Sequence, residues 1–435
     1  MISIYSISLG CPKNRVDTER ALGGLGPVRA VDTPKKADLV FVNTCGFIAP
    51  AVEESVRTLV SLVHETAALR RRPLLAVAGC LVGRYTAAAL AEDLPEVDLW
   101  LDVDDPASWS GRILAALSPR GFASSAPGGR LLSTGPSYAW LKISDGCRHA
   151  CAFCTIPSIR GPLRSTAAGV LVEEARLILD AGVKELVLVA QDVSAWGRDK
   201  GDGLKRLLEK LLPLPGLARL RLMYLYPSGL TDSLLGFLRA AGAPFVPYFD
   251  IPLQHAASGV LSRMGRPFAR NPRVVIERVR KHFPEAALRT SLIVGFPGET
   301  DKDFETLCDF VREARFHHLG VFAYQAEEGT PAATMPDQLP DRVKQWRRDV
   351  IMEIQAEISA EILTGYVGGR ETVLVDAPHP EWPGLFTGRT WFQAPEVDGT
   401  TYISGPGVEA GALVEADIVE ASDYDLTALT DAEES

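Results

Sequence analysis

Cys147, Cys151 and Cys154 place three thiols within eight positions of a 435-residue chain that has seven cysteines in all. Such spacing gathers the thiols on one tight loop. In a chain without export features, clustered cysteines hold metal or do redox chemistry in preference to forming disulfides. A structural zinc wants four ligands, commonly delivered as two Cys-x-x-Cys pairs, and the only further donor near this loop is His149. A cubane iron–sulfur cluster accepts three thiolates from a loop and leaves its fourth iron free. An open metal position marks a reactive centre, by the logic that separates catalytic from structural zinc.

The elements around this loop follow from hydrophobic patterning. "YAWLKIS" (138–144), "ELVLVAQ" (185–191), "ARLRLMYL" (218–225), "YFDIPLQ" (248–254), "LRTSLIVGF" (288–296) and "HLGVFAY" (318–324) read as strands separated by helix-sized segments. Six strand–helix units predict a barrel or partial barrel whose reactive end lies at the C-terminal ends of the strands, where the cysteine loop follows the first of them. Before it, "ISIYSISLG", "ADLVFVNTC" and "PLLAVAGC" read as buried parallel strands, with a helix over 53–68. Each of the three runs into a cysteine, Cys11, Cys45 and Cys80. Loops gather at the carboxyl edge of such a sheet, so the three thiols converge on one metal site or are separate buried thiols. Cys308 lies in a helical pattern with Phe304, Leu307 and Val311 and reads as a core thiol.

A Ser-, Gly-, Pro- and Ala-rich stretch over 118–136 reads as a linker. After a long helix, about 341–363, short strands with Gly and Pro turns predict a small five-stranded β-barrel. The expected architecture is α/β: an N-terminal parallel-sheet domain (1–120), a linker (121–136), a central partial TIM-type barrel (137–364) and a C-terminal all-β barrel (365–435). Hydrophobic residues at 46% and charged residues at 23% suit a folded soluble chain, and no apolar run is long enough to span a bilayer. "MISIYSISLGC" lacks a basic start and a long apolar run, so the expected location is the cytoplasm.

With Phe153, the cysteine loop spells C-x3-C-x-F-C, which resembles the signature of the radical S-adenosylmethionine enzymes. That resemblance implies a [4Fe-4S] cluster on Cys147, Cys151 and Cys154, with the free iron chelated by S-adenosylmethionine and a 5'-deoxyadenosyl radical as the reactive species. The cofactor carries that chemistry while the protein orients it. "SLGCPKN", "VNTCGFI" and "AGCLVGRY" narrow the resemblance to the methylthiotransferases. These carry a second [4Fe-4S] cluster, here implied on Cys11, Cys45 and Cys80, and a C-terminal TRAM barrel. Phe153, Gln191 and Gly295 are the implied cofactor contacts. Gln191 with Asp192 also reads as a pair of loop polar residues, and Gly295 with Gly298 and Glu299 as a strand-to-helix turn. His255 is either a proton donor or a hydrogen-bonded structural residue.

Methylthiotransferases divide into a type modifying adenosine in tRNA and the RimO type, modifying an aspartate of the twelfth small-subunit ribosomal protein. From residue 365 onward the chain has 14 acidic and two basic residues, a net charge of −12 against −10 for the whole, so the first 364 residues carry +2. Nucleic-acid binding depends on Lys and Arg, so direct tRNA binding is not expected, whereas a basic ribosomal protein suits an acidic surface. "AQDVSAWG", "DIPLQHAASGVLSRM", "GVFAYQAEEGTPAA" and "APEVDG" also resemble the RimO type. Trp391 and Phe392 stand where that type has smaller or polar residues, a departure that either alters the docking surface or supplies it with interface anchors. The resemblance further implies an electron donor such as a flavodoxin or ferredoxin.

Overall fold

The computed structural model describes residues 1–122, 129–266, 268 and 271–431. Its first unit is a five-stranded all-parallel sheet of Ile2–Ser8, Val28–Ala30, Leu39–Thr44, Leu74–Gly79 and Leu99–Trp100, with Ile2–Ser8 between the second and third strands. The central strands are apolar on both faces because helices cover both. Leu22, Trp109, Ile113 and Leu117 pack one side, and Leu59, Leu62, Leu81 and Leu90 the other. The two short edge strands have no alternation long enough to read. The helix expected from residue 53 starts at Ala49, where Pro50 suits the first turn because a proline there forfeits no hydrogen bond.

Six parallel strands form the second unit, in sequential order: Tyr138–Lys142, Glu185–Val189, Arg219–Leu222, Phe245–Asp250, Ala287–Val294 and His318–Ala323. The first and last do not pair, so the sheet curls into a partial barrel. Helices on its outer face bury one large apolar core with the strands. The fourth strand starts earlier and ends earlier than expected, since Pro252 cannot donate to a ladder. Cys308 is a buried thiol in helix Asp301–Ala314.

Helix Asp341–Thr364 leads to a closed barrel of Arg370–Pro378, Phe386–Arg389, Thr401–Ser404, Leu413–Ala421 and Leu426–Leu429, the last of which the patterning did not single out. It closes the barrel by pairing in parallel with Thr401–Ser404.

The small barrel plugs the open end of the large one. Tyr138, Trp140, Val187, Val246, Tyr248 and Ala287, on the inner face of the six-stranded sheet, share one apolar cluster with Phe392, Ala394 and Ile403. Phe392 is fully buried, stacks 4.2 Å from the ring of Tyr366, and its carbonyl lies 2.6 Å from His318 Nε2. Arg221 donates to the Trp391 carbonyl at 2.9 Å. Of the two readings of these aromatics, the interface anchor is thereby excluded for Phe392: it is sequestered inside this chain, where a large apolar ring gains most. Buried ions tie the same joint. Glu185 pairs with Arg221 and Arg389, each at 2.7 Å, and Asp398 accepts from Tyr248 Oη at 2.7 Å and Arg289 Nε at 3.3 Å.

The stretch read as a linker is only partly a tether, its residues 123–128 lying outside the described ones. Glu19, on helix Pro12–Gly23, pairs with Arg130 at 2.5 Å and accepts from Ser133 N at 2.9 Å. A buried carboxylate needs such partners, and these fix residues 130–133 to the N-terminal unit.

Candidate functional site

Cys11, Cys45 and Cys80 follow three strands that are neighbours in the sheet. Thr44 and Gly79 are register partners, so Cys45 and Cys80 leave the sheet side by side. Cys11 caps helix Pro12–Gly23 and Cys80 opens helix Cys80–Tyr85. Glycine makes the convergence possible. Gly10 has φ +85° and a β-carbon there would lie 3.0 Å from Cys45 Sγ, while one on Gly46 would meet the Cys80 carbonyl at 2.8 Å. Burial pushes the Cys45 thiol up to about 11, aided by Cys80 and Cys11. Burial also raises Cys80, despite Arg160. For Cys11 burial is outweighed by the Lys13 cation, the Asn14 amide and Arg160, and the thiol is lowered.

The second trio hangs on a loop pinched at its base, where Ser144–Asp145 pairs with Arg164–Ser165. Within it, Ala152 N donates to the Met264 carbonyl at 3.1 Å and Ala332 N to the Ala152 carbonyl at 2.8 Å. Phe153 packs edge-on against Phe296 at 6.5 Å, beside a small apolar cluster that includes Ala152, Val260, Met264 and Tyr324. Arg266, buried, donates to Cys151 Sγ at 3.3 Å and lies 4.4 Å over the ring of Tyr226. Tyr226 stacks on His149 at 3.6 Å, and His149 Nε2 lies 2.7 Å from Asp192. Burial raises Cys147 and pushes Cys154 up to about 12. Metal binds the thiolate, so loading this site displaces the protons that burial favours and releases them to solvent.

The loops that carry the two trios are bonded to each other across the domain boundary. Thr155, next to Cys154, donates its hydroxyl to the carbonyl of Phe47, two residues after Cys45, at 2.9 Å. Arg160 donates to Cys80 Sγ at 3.3 Å and to Asp145 at 3.1 Å, two residues before Cys147. Glu327 completes the clamp: its carboxylate accepts from Ala49 N at 2.8 Å and pairs with Arg84 at 2.9 Å, and Arg84 also donates to the Gly46 carbonyl. Lys142 lies 2.7 Å from both Asp17 and Asp145. These charges flank the cysteine motif, and a lysine inside the apolar run "YAWLKIS" was a legible sign, since a buried cation demands buried partners. Arg160, Glu327 and Thr155 carried no comparable local signal.

Among the described residues, no three His, Cys, Asp or Glu side chains are gathered tightly enough for a single metal ion. Two sets of three thiols, each drawn to one place but wider than a mononuclear site, have the donor chemistry of iron–sulfur clusters, whose separate irons each take one thiolate. The other expected contacts fall as follows. Gln191 Nε2 donates to Asp145 Oδ1 at 3.1 Å, while its buried Oε1 has no partner among the described residues. Asp192 is held by His149 and Ser194. Gly295 gives its N–H to Glu299 at 2.6 Å, and a β-carbon there would run into Lys344, so its contacts are those of a strand-to-helix turn. His255 is fully buried, its Nδ1 accepting from Ala257 N at 3.0 Å and its Nε2 3.6 Å from Glu299.

Comparison with known proteins agrees with this layout. Residues 141–311 match the Radical SAM superfamily, 3–102 the uncharacterized protein family UPF0004, and 367–430 the TRAM domain. The ribosomal protein uS12 methylthiotransferase RimO of Nitratidesulfovibrio vulgaris strain DP4 is 69% identical over 99% of this chain and 100% of its own length. Those of Oleidesulfovibrio alaskensis (99% of this chain, 100% of its own) and Lawsonia intracellularis (98% and 97%) are 67% and 58% identical. Among solved structures, the radical S-adenosylmethionine methyltransferase TsrM of Kitasatospora setae covers 88% of this chain and 80% of its own, at 14% identity and a TM-score of 0.55. OxsB, a cobalamin-dependent S-adenosylmethionine radical enzyme, covers 81% and 56% at 11% identity and 0.50. Those two likenesses concern the fold alone.

Proposed function

This chain belongs to the RimO family of radical S-adenosylmethionine methylthiotransferases, and we propose that it adds a methylthio group to the β-carbon of one aspartate of ribosomal protein uS12. The observation that carries the reading is that the loops bearing the two cysteine trios are tied together, by Thr155 to the Phe47 carbonyl and by Arg160 to Cys80.

In this reading Cys147, Cys151 and Cys154 hold the radical [4Fe-4S] cluster and Cys11, Cys45 and Cys80 a second one. When bound, the first cluster with S-adenosylmethionine supplies a hydrogen-abstracting radical, and the second supplies or carries sulfur. The rest is the work of the protein's own residues. Arg266 and Tyr226 hold Cys151 from one side and Phe153 braces the loop on Phe296. Thr155, Arg160 and Glu327 keep the two loops at a set separation, which a two-site reaction needs because orientation supplies much of its rate. Gln191, whose buried Oε1 has no partner among the described residues, contacts the cofactor. The plug of residues 390–398 closes the far end of the barrel and keeps water from that side.

The acidic C-terminal barrel is the docking surface for the basic substrate, through fewer residues than its net charge suggests. Asp376 and Asp398 face Arg389 and Arg289, and Glu396 pairs with Arg15, leaving Glu381, Glu409, Glu415, Glu420 and Asp423 exposed. The required electrons come from a reduced flavodoxin or ferredoxin in the cytoplasm. No helix among the described residues is long and apolar enough to cross a membrane.

The test is anaerobic turnover with S-adenosylmethionine, reductant and sulfide, offering uS12 in one tube and unmodified tRNA in another, read by mass spectrometry. Addition to an aspartate is expected; addition only to tRNA overturns the substrate. Cys147→Ala should abolish formation of 5'-deoxyadenosine, whereas Cys45→Ala should retain some and lose methylthio insertion. A Cys45→Ala enzyme that still inserts sulfur overturns the second site.

A further inference from the structure

Arg160 ends helix Ile156–Arg160, just beyond the radical cysteine loop, yet its side chain, 1% exposed, reaches into the N-terminal domain. Its Nε and Nη2 both donate to Cys80 Sγ, at 3.4 and 3.3 Å. Nη2 also donates to Asn14 Oδ1 at 2.6 Å, and Nη1 to Asp17 at 3.2 Å and Asp145 at 3.1 Å. A guanidinium turns its two-donor edge toward a carboxylate when one is within reach. Here two carboxylates are within reach, but Lys142 already holds both of them, and the fork is turned to sulfur. Arg160 therefore places a positive charge and two N–H donors on one thiol of the N-terminal trio. Asn14 Nδ2 anchors the arrangement through the carbonyls of Leu9 and Thr44, each at 3.0 Å.

Hydrogen bonds and positive charge at a cluster sulfur stabilise the more negative, reduced state and raise the reduction potential. We propose that Arg160 is a positioning residue that sets the reduction potential of the N-terminal cluster, and that it does so from the other domain, so this potential depends on the two domains being docked. The proposal rests on the reading that Cys11, Cys45 and Cys80 hold an iron–sulfur cluster. On the radical side, Arg266 bears on Cys151 in the same manner, but from within its own domain.

The experiment uses the full chain with Cys147, Cys151 and Cys154 replaced by alanine, reconstituted so that only the N-terminal cluster is loaded. Its potential is followed by electron paramagnetic resonance during a mediated titration with titanium(III) citrate. Arg160→Gln should lower the reduced-to-oxidised ratio at a fixed potential about tenfold, equal to about 59 mV for a one-electron couple. Arg160→Lys, which keeps the charge and loses the fork, should fall between. An unchanged potential in Arg160→Gln with its cluster intact overturns the proposal. A parent protein with no cluster signal refutes the N-terminal site instead, which keeps the two failures apart. Should Arg160→Gln lose its cluster, the wild-type residue decides the matter. With 15N-guanidinium arginine, pulsed resonance on the reduced cluster should show a nitrogen coupling that Arg160→Lys lacks, and its absence overturns the proposal.

Discussion

Replacing Glu185 by glutamine should loosen the C-terminal barrel from the end of the radical domain. Glu185 has no side-chain exposure and lies 2.7 Å from Arg221, itself fully buried, and 2.7 Å from Arg389. Arg389 keeps Asp376 as a second partner, whereas Glu185 is the only carboxylate bridged to Arg221 among the described residues. Removing one member of a buried pair costs about 3–5 kcal/mol, because the remaining charge is left without compensation. The protonation equilibrium leads to a similar figure. Burial favours the neutral acid, but Arg221, Arg389 and Arg219 outweigh it and hold Glu185 down at about 2 against an ordinary 4.5. That gap is worth about 3 kcal/mol of stability. A depressed carboxylate contributes fully above its unfolded value, here about 4.5, and the contribution is lost as the pH falls toward 2. Hydrogen exchange of residues 390–398 at neutral pH, corrected for intrinsic rates, should accelerate about a hundredfold in Glu185→Gln. Between pH 4.5 and 2 the wild type should lose protection there more steeply than the variant. Glu185→Leu combined with Arg221→Met should recover most of the loss, since the pair is then replaced by apolar volume. Less than a tenfold acceleration in Glu185→Gln would refute the view that buried ion pairs hold the plug in place.

Two further outcomes follow from the site. Gly10→Ala should cost the N-terminal cluster and about half the bound iron, because a β-carbon at φ +85° would press on Cys45 Sγ at 3.0 Å. Iron analysis and absorbance check this, and full iron retention would show that the loop has room to yield. Reversing Glu409, Glu420 and Asp423 to lysine should slow association with uS12 and flatten its dependence on salt, while leaving S-adenosylmethionine cleavage intact. Stopped-flow binding at several ionic strengths reads this directly, and unchanged association would move the docking surface elsewhere.

Much of the chemistry was legible because its signals are local. The C-x3-C-x-F-C spacing is written in eight consecutive residues, and the continuous apolar runs ending at Cys11, Cys45 and Cys80 announce strands whose loops share one edge. The same patterning brought out all six strands of the central unit, with ends displaced where Pro252 interrupts a ladder. What the chain order hides are relations between residues far apart in it. Arg160 and Cys80 are 80 positions apart and meet only when two domains dock. Glu327 reaches back to Ala49, and Glu185 forward to Arg389, in the same way. Net charge is additive and could be counted from composition, giving an acidic C-terminal module. Which of its carboxylates face solvent and which neutralise buried arginines depends on the side of the barrel that packs against its neighbour. Phe392 shows the reverse side of that limit: an aromatic in a polar loop reads as a free anchor until the tertiary fold supplies the cavity that buries it. Spacing along the chain dictates which ligands a loop can offer, and only the folded molecule decides which charges and rings stand beside them, because those contacts form after the chain has closed on itself.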